Sequence, residues 1–257
     1  MSAVTVGEVY QVLDAFAPFG TELPWDNCGL LVGDYDRTVT GIGVVLDITP
    51  DVIRSAKAQS LNLLVSHHPV IFTPLKRLSF AKIPALLAAE QISAICAHTN
   101  LDAAGGGVND CLCRALGLSE IVPLADPETP GSPPIARIGR LPAPLPVEEL
   151  ARCAAVALSS TVVRYAGGGE VQTIAVSCGA GGDLLPAAAA ACADLFFTGE
   201  LPYHEVLQAA QLGLPVITAG HYDTEQPIKS ELCRRFSEAF AGLPVAALPE
   251  AEPLRLL

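Results

Sequence analysis

Apolar residues recur at helical spacing near the start of the chain. Val6, Val9, Leu13 and Phe16 fall on one face, and Thr5 stands where a helix cap belongs. This spacing predicts a helix packed on a sheet. Further on the pattern changes to short, β-branched apolar runs at residues 41–47, 61–66, 92–97, 172–177, 195–198 and 215–219, which are predicted strands. Helices are predicted between them. Two have clear starts: Thr49-Pro50-Asp51, a cap followed by proline at the first helical position, and the segment 227–240. Alternation of the two patterns predicts an α/β fold of two interlocked α/β units with mainly parallel sheet, with functional side chains at the C-terminal ends of strands.

Much of the proline lies in residues 123–146, which read as a linker leading into a short strand at 137–141. A domain boundary is therefore expected there. The strand at 215–219 resembles those of the first half, so the first unit is expected to comprise 1–125 and 215–257, with 126–214 as the second. Gly167-Gly168-Gly169 reads as a hairpin turn. Cys178-Gly179-Ala180-Gly181-Gly182-Asp183 follows a strand as a phosphate-cradling turn would, but Leu184 takes the third glycine position of a dinucleotide fingerprint. It is read as a tight turn, without a Rossmann cofactor.

Hydrophobic residues make up 51% of the 257 and charged residues 16%, which excludes a disordered chain. The apolar runs fall short of the ~20 residues that cross a bilayer, so no membrane segment is expected. The N-terminus lacks a basic residue followed by an apolar stretch, and a cytoplasmic location is expected. In that compartment the eight cysteines are read as thiols. A net charge of -12 disfavours nucleic acid as a partner. A small anionic substrate such as a nucleotide then needs a local positive feature, and metal ions would supply one.

The candidate chemistry lies after the strands. The run at 61–66 delivers His67-His68; alone, this pair reads equally well as two solvated loop imidazoles. The run at 92–97 ends in His98 and reaches Asp102. The run at 215–219 leads through Gly220 to His221 and Glu225, which share a face if a helical turn begins there. Imidazole and carboxylate without thiolate suit zinc, manganese, iron or cobalt. Even five of these side chains are too many for one catalytic ion that keeps positions open, and they suit two ions sharing a carboxylate.

Five segments carry a family resemblance: Trp25-Asp26-Asn27-Cys28-Gly29-Leu30; Ser66-His67-His68-Pro69; Ala97-His98-Thr99-Asn100-Leu101-Asp102-Ala103; Thr198-Gly199-Glu200 with Tyr203-His204; and Gly220-His221-Tyr222-x-Thr224-Glu225. Over almost its whole length the chain resembles the dinuclear metal-centre hexameric proteins, the GTP cyclohydrolase I type 2 homologues or Nif-three-like proteins. The resemblance implies two divalent ions per chain on His67, His68, Asp102, His221 and Glu225, with Glu225 bridging, and a toroidal homohexamer. Cys28 is a departure, since a larger apolar residue is expected there. His98 and His204 are read as catalytic proton carriers or partners of the ligands, and Glu200 similarly. Lys76 and Arg77 read either as a site for an anionic substrate or as a solvated pair. The function implied is metal-dependent hydrolysis, with the family label pointing to opening of the guanine imidazole ring of GTP and loss of formate. The alternatives are another hydrolase, acting on phosphoesters or amides, and a non-enzymatic metal-binding scaffold.

Overall fold

The computed structural model describes residues 3–250, which fall into two compact units. One takes the chain up to Ala104 and again from Lys229, and the other spans Gly105–Ile228. The first unit opens with α1 (Val6–Phe16), β1 (Gly29–Val32), β2 (Ile42–Val45), α2 (Pro50–Ala58), β3 (Leu63–Ser66), α3 (Ile83–Ala89), β4 (Ser93–Cys96) and α4 (Thr99–Ala103). The second holds α5 (Val108–Ala115), β5 (Ser119–Pro123), β6 (Arg137–Pro146), α6 (Val147–Ala157), β7 (Arg164–Ala166), β8 (Glu170–Ser177), α7 (Leu185–Ala190), β9 (Leu195–Thr198), α8 (Tyr203–Gln211), β10 (Val216–Thr218) and α9 (His221–Glu225). Then α10 (Pro227–Ala239) leads back to the first unit, which receives β11 (Val245–Ala247).

The first unit is built on a five-stranded sheet of order β1-β4-β3-β2-β11. Pairings from β4 through β11 are parallel, and β1 lies antiparallel on β4. Every residue of β2, β3 and β4 is buried. That is why these strands read as unbroken apolar runs, as central parallel strands covered on both faces do. α1 starts as the sequence predicts: the Thr5 hydroxyl accepts from Glu8 N, and the Glu8 carboxylate accepts from Thr5 N at 2.8 Å. Val6, Val9 and Leu13 form its buried face. The Thr49 hydroxyl accepts from Val52 N to open α2, whose Val52, Ile53 and Ala56 pack with Val45, Leu64 and Leu87.

The second unit has a six-stranded sheet of order β5-β6-β8-β9-β10-β7. Only β8 with β9 and β9 with β10 are parallel, so this sheet is mixed and the mainly parallel character belongs to the first. Three expectations need correction. The divisions fall at 104/105 and 228/229, whereas the sequence reading put them at 125/126 and 214/215. Here the proline-rich interval is internal to the second unit, because β5 before it pairs with β6 after it. The β6 strand also runs on to Pro146. Beyond Arg140 it pairs with β8 alone, so prolines at 142, 144 and 146 can sit where one side needs no donor. Finally, Gly167-Gly168-Gly169 does not close a hairpin. It joins β7, which pairs with β10 at the sheet edge, to β8, with β10 and β9 lying between the two.

Candidate metal centre

In the first unit the ends of two parallel strands, β3 and β4, carry the candidate ligands. His67 N donates to Val45 O and His68 N to Leu46 O, so both histidines continue the ladder beside the end of β2. His98 follows β4, and one turn of α4 returns Asp102 N to His98 O at 3.0 Å. The three imidazoles each offer a ring nitrogen, and these atoms lie within 4.8 Å of one another. Asp102 Oδ1 is 3.6 Å from His67 Nε2. This is the spacing of two donors on one ion, since ligands at about 2.1 Å in a tetrahedron are roughly 3.4 Å apart.

What orients the rings is decisive. His67 Nδ1 is 3.0 Å from Ala97 O, His68 Nδ1 3.0 Å from Asp47 Oδ1, and His98 Nδ1 2.9 Å from Asp26 Oδ1. A carbonyl oxygen only accepts, and an ionised carboxylate only accepts. Each Nδ1 therefore carries the proton, and in the neutral ring the lone pair is on Nε2. The Asp26 side chain is fully buried and takes hydrogen bonds from Thr99 N at 3.0 Å and Thr99 Oγ1 at 2.6 Å as well. Burial alone would raise its pKa; the donors on His98 and Thr99 outweigh burial and hold it well below the usual carboxylate range. The Cys28 thiol, which departs from the family pattern, accepts from His98 N at 3.4 Å. Burial pushes the neighbouring Cys96 thiol well up.

The second unit repeats the device. His221 and Glu225 occupy the first and last positions of α9, with Nε2 3.0 Å from Glu225 Oε1. His221 Nδ1 faces Glu200 Oε1 at 2.9 Å. An imidazole with an acceptor at each nitrogen is satisfied by a second proton, or by a cation between Nε2 and the carboxylate. The turn after β8 gives these groups room: Gly179 has φ +59°, and a Cβ there would meet Glu225 Oε1 at 2.7 Å and His221 Nε2 at 3.1 Å. A Cβ on Gly182 would run into the Glu205 carboxylate, so a side chain of the chain itself already covers the turn. Burial there shifts Glu205 upward.

The structure thus groups His67, His68, His98 and Asp102 in one unit, and His221, Glu225 and Glu200 in the other. It does not group His204, whose side chain is 79% exposed with Glu205 as its ionic neighbour. Lys76 and Arg77 are exposed on the loop after His68. Sequence reasoning missed Asp26 and Asp47. Asp47 had a signal, since it ends the run at 41–47 as the histidines end theirs.

A family model for Duf34/NIF3 (NGG1p interacting factor 3) matches residues 4–253. The chain belongs to this family. Among Duf34/NIF3-like relatives, a protein named GTP cyclohydrolase 1 type 2 homolog from Clostridium perfringens is 30% identical over 242 residues, covering 91% of each chain. One of the same name from Streptomyces coelicolor is 36% identical over 233 residues, covering 86% of this chain and 82% of its own. The crystal structure of the Staphylococcus aureus hypothetical protein SA1388 superposes with a TM-score of 0.90 at 25% identity, covering 100% of both chains. The mixed α/β fold with two sheets is thus a Duf34/NIF3 fold. Among the described residues no helix is long and apolar enough to cross a membrane.

Proposed function

We propose that the chain is a metal-dependent hydrolase holding two divalent ions, zinc, manganese, iron or cobalt, on His67, His68, Asp102, His221 and Glu225, with Glu225 shared. The observation that supports this reading is the anchoring of His67, His68 and His221 through Nδ1, which orients each Nε2 toward the candidate centre. An all nitrogen and oxygen donor set with open positions is that of a catalytic rather than a closed structural site. Two ions held by these residues would supply Lewis acidity and a water of lowered pKa for attack on an electrophilic carbon or phosphorus.

The chain's own residues do the remaining work. Asp102 and Glu225 offset part of the ionic charge and leave the centre attractive to an anion. His98 keeps its Nε2 lone pair beside His67 and His68, where it takes up a proton during attack and returns it to the leaving group. Asp26 on Nδ1 steadies the ring when it is charged. His204 has no part in this reading. The relatives' name favours GTP as substrate, with opening of the imidazole ring and release of formate.

The test is turnover by metal-loaded protein of a panel containing GTP, phosphoesters and amides, with formate assayed for GTP. Turnover is expected to vanish on chelation, and His98→Gln to lower the rate by about 10²- to 10⁴-fold while retaining metal. Full metal loading with no turnover of any panel member contradicts the hydrolase reading and leaves a metal-binding scaffold.

A further inference from the structure

The chain has a single tryptophan, Trp25, and its ring is 56% exposed. The segment that carries it is held on both sides. Ahead of it, Leu23 N donates to Thr99 Oγ1 at 2.9 Å. Behind it, buried Asp26 is bonded to His98 and Thr99, and Asn27 Nδ2 donates to Ile71 O at 2.5 Å. That last bond sets Phe72, itself 49% exposed, with its ring centroid 5.8 Å from Trp25 at 49°. On its other side the Trp25 ring meets His98 edge-on, 6.1 Å away and at 71°. The His98 ring is 5.1 Å from His67 and 5.5 Å from His68.

A large aromatic surface left in water by a loosely held loop would carry no message. Here the segment is tied through Leu23 N and the side chains of Asp26 and Asn27, and Trp25 is still presented to solvent, one imidazole away from the candidate metal ligands. Fixed, exposed aromatic faces beside a polar centre are what planar rings stack on. Lys76 and Arg77 follow Phe72 in the same exposed loop and match an anionic group on such a ligand.

We propose that Trp25 and Phe72 form a stacking platform for the planar heteroaromatic ring of a nucleotide-like ligand bound at this centre. The inference rests on the hydrolase reading for its location and is tested separately from it. Because Trp25 is the sole tryptophan, its emission reports on the platform alone. Guanosine and guanosine 5′-monophosphate are titrated into zinc-loaded and metal-free protein, with ribose 5-phosphate as the probe without a ring.

Both guanine compounds are expected to change Trp25 emission saturably, guanosine with or without metal, and ribose 5-phosphate to leave it unchanged. By calorimetry Trp25→Ala is expected to weaken guanosine 5′-monophosphate about tenfold. Trp25→Phe should recover most of that loss, and neither variant should alter ribose 5-phosphate binding or metal content. Equal affinity in wild type and Trp25→Ala overturns the proposal while leaving the metal reading intact. Emission that ignores guanosine and instead changes on dilution also overturns it, assigning the ring to contact with a second copy. Protein that never loads metal but still binds guanosine through Trp25 separates the two in the other direction.

Discussion

At the residue scale, one device accounts for the candidate centre: an acceptor on each Nδ1 fixes ring and tautomer together. Removing the charge of the acceptor while keeping its shape tests this. Asp47→Asn and Glu200→Gln are each expected to weaken metal binding by about ten- to a hundredfold with secondary structure unchanged, read by competition with a chromogenic chelator. Unaltered affinity in both would show that the rings need no such partner. Asp26→Asn addresses stability. Asp26 is depressed in the fold, so its contribution is complete above the unfolded value of about 3.9 and is lost as pH falls toward its folded value. Urea unfolding should therefore show the variant less stable at neutral pH, and the gap should close in the acid range below pH 4; a gap that is constant with pH contradicts the assignment. The histidines were legible because each follows an apolar run. Asp26 was not, because it lies in an irregular segment and its partner His98 is 72 positions away.

Among elements, local chemistry predicted what local chemistry determines. The capped start of α1, the proline-started α2 and the strands β2, β3 and β4 were all visible as periodicity, since burial on both faces of a parallel strand writes a continuous apolar run. Pairing was not visible. Nothing near Gly167-Gly168-Gly169 says that β7 pairs with β10 some fifty residues later, and the glycines alone suggested a hairpin. The edges β1, β5 and β7 were missed for a related reason: short, partly exposed strands carry little apolar pattern. The turn after β8 makes a sharp prediction. Gly179→Ala imposes a left-handed backbone on alanine, a cost of about 1–2 kcal/mol, and drives a methyl against His221 and Glu225. Lower thermal stability together with reduced metal content is expected, and a normal metal content would show that α9 is not positioned by this turn.

For the whole molecule, the resemblance to hexameric proteins predicts a large closed assembly with little monomer at micromolar concentration. Light scattering decides it, and a stable monomer carrying its full metal content would contradict the expectation. The net charge of -12 gives a second global property: long polyanions are repelled at range, while a small anion can reach a local positive centre. The proposed function depends on the chain holding two divalent ions. Its most direct test is elemental analysis of the purified chain after loading with zinc or manganese and removal of free metal. The account predicts close to two ions per chain, falling steeply in Glu225→Gln and little in His98→Gln, because a shared carboxylate offsets both ions whereas His98 is not among the five proposed ligands. A wild-type value that stays at one or below, or equal losses in the two variants, would contradict it.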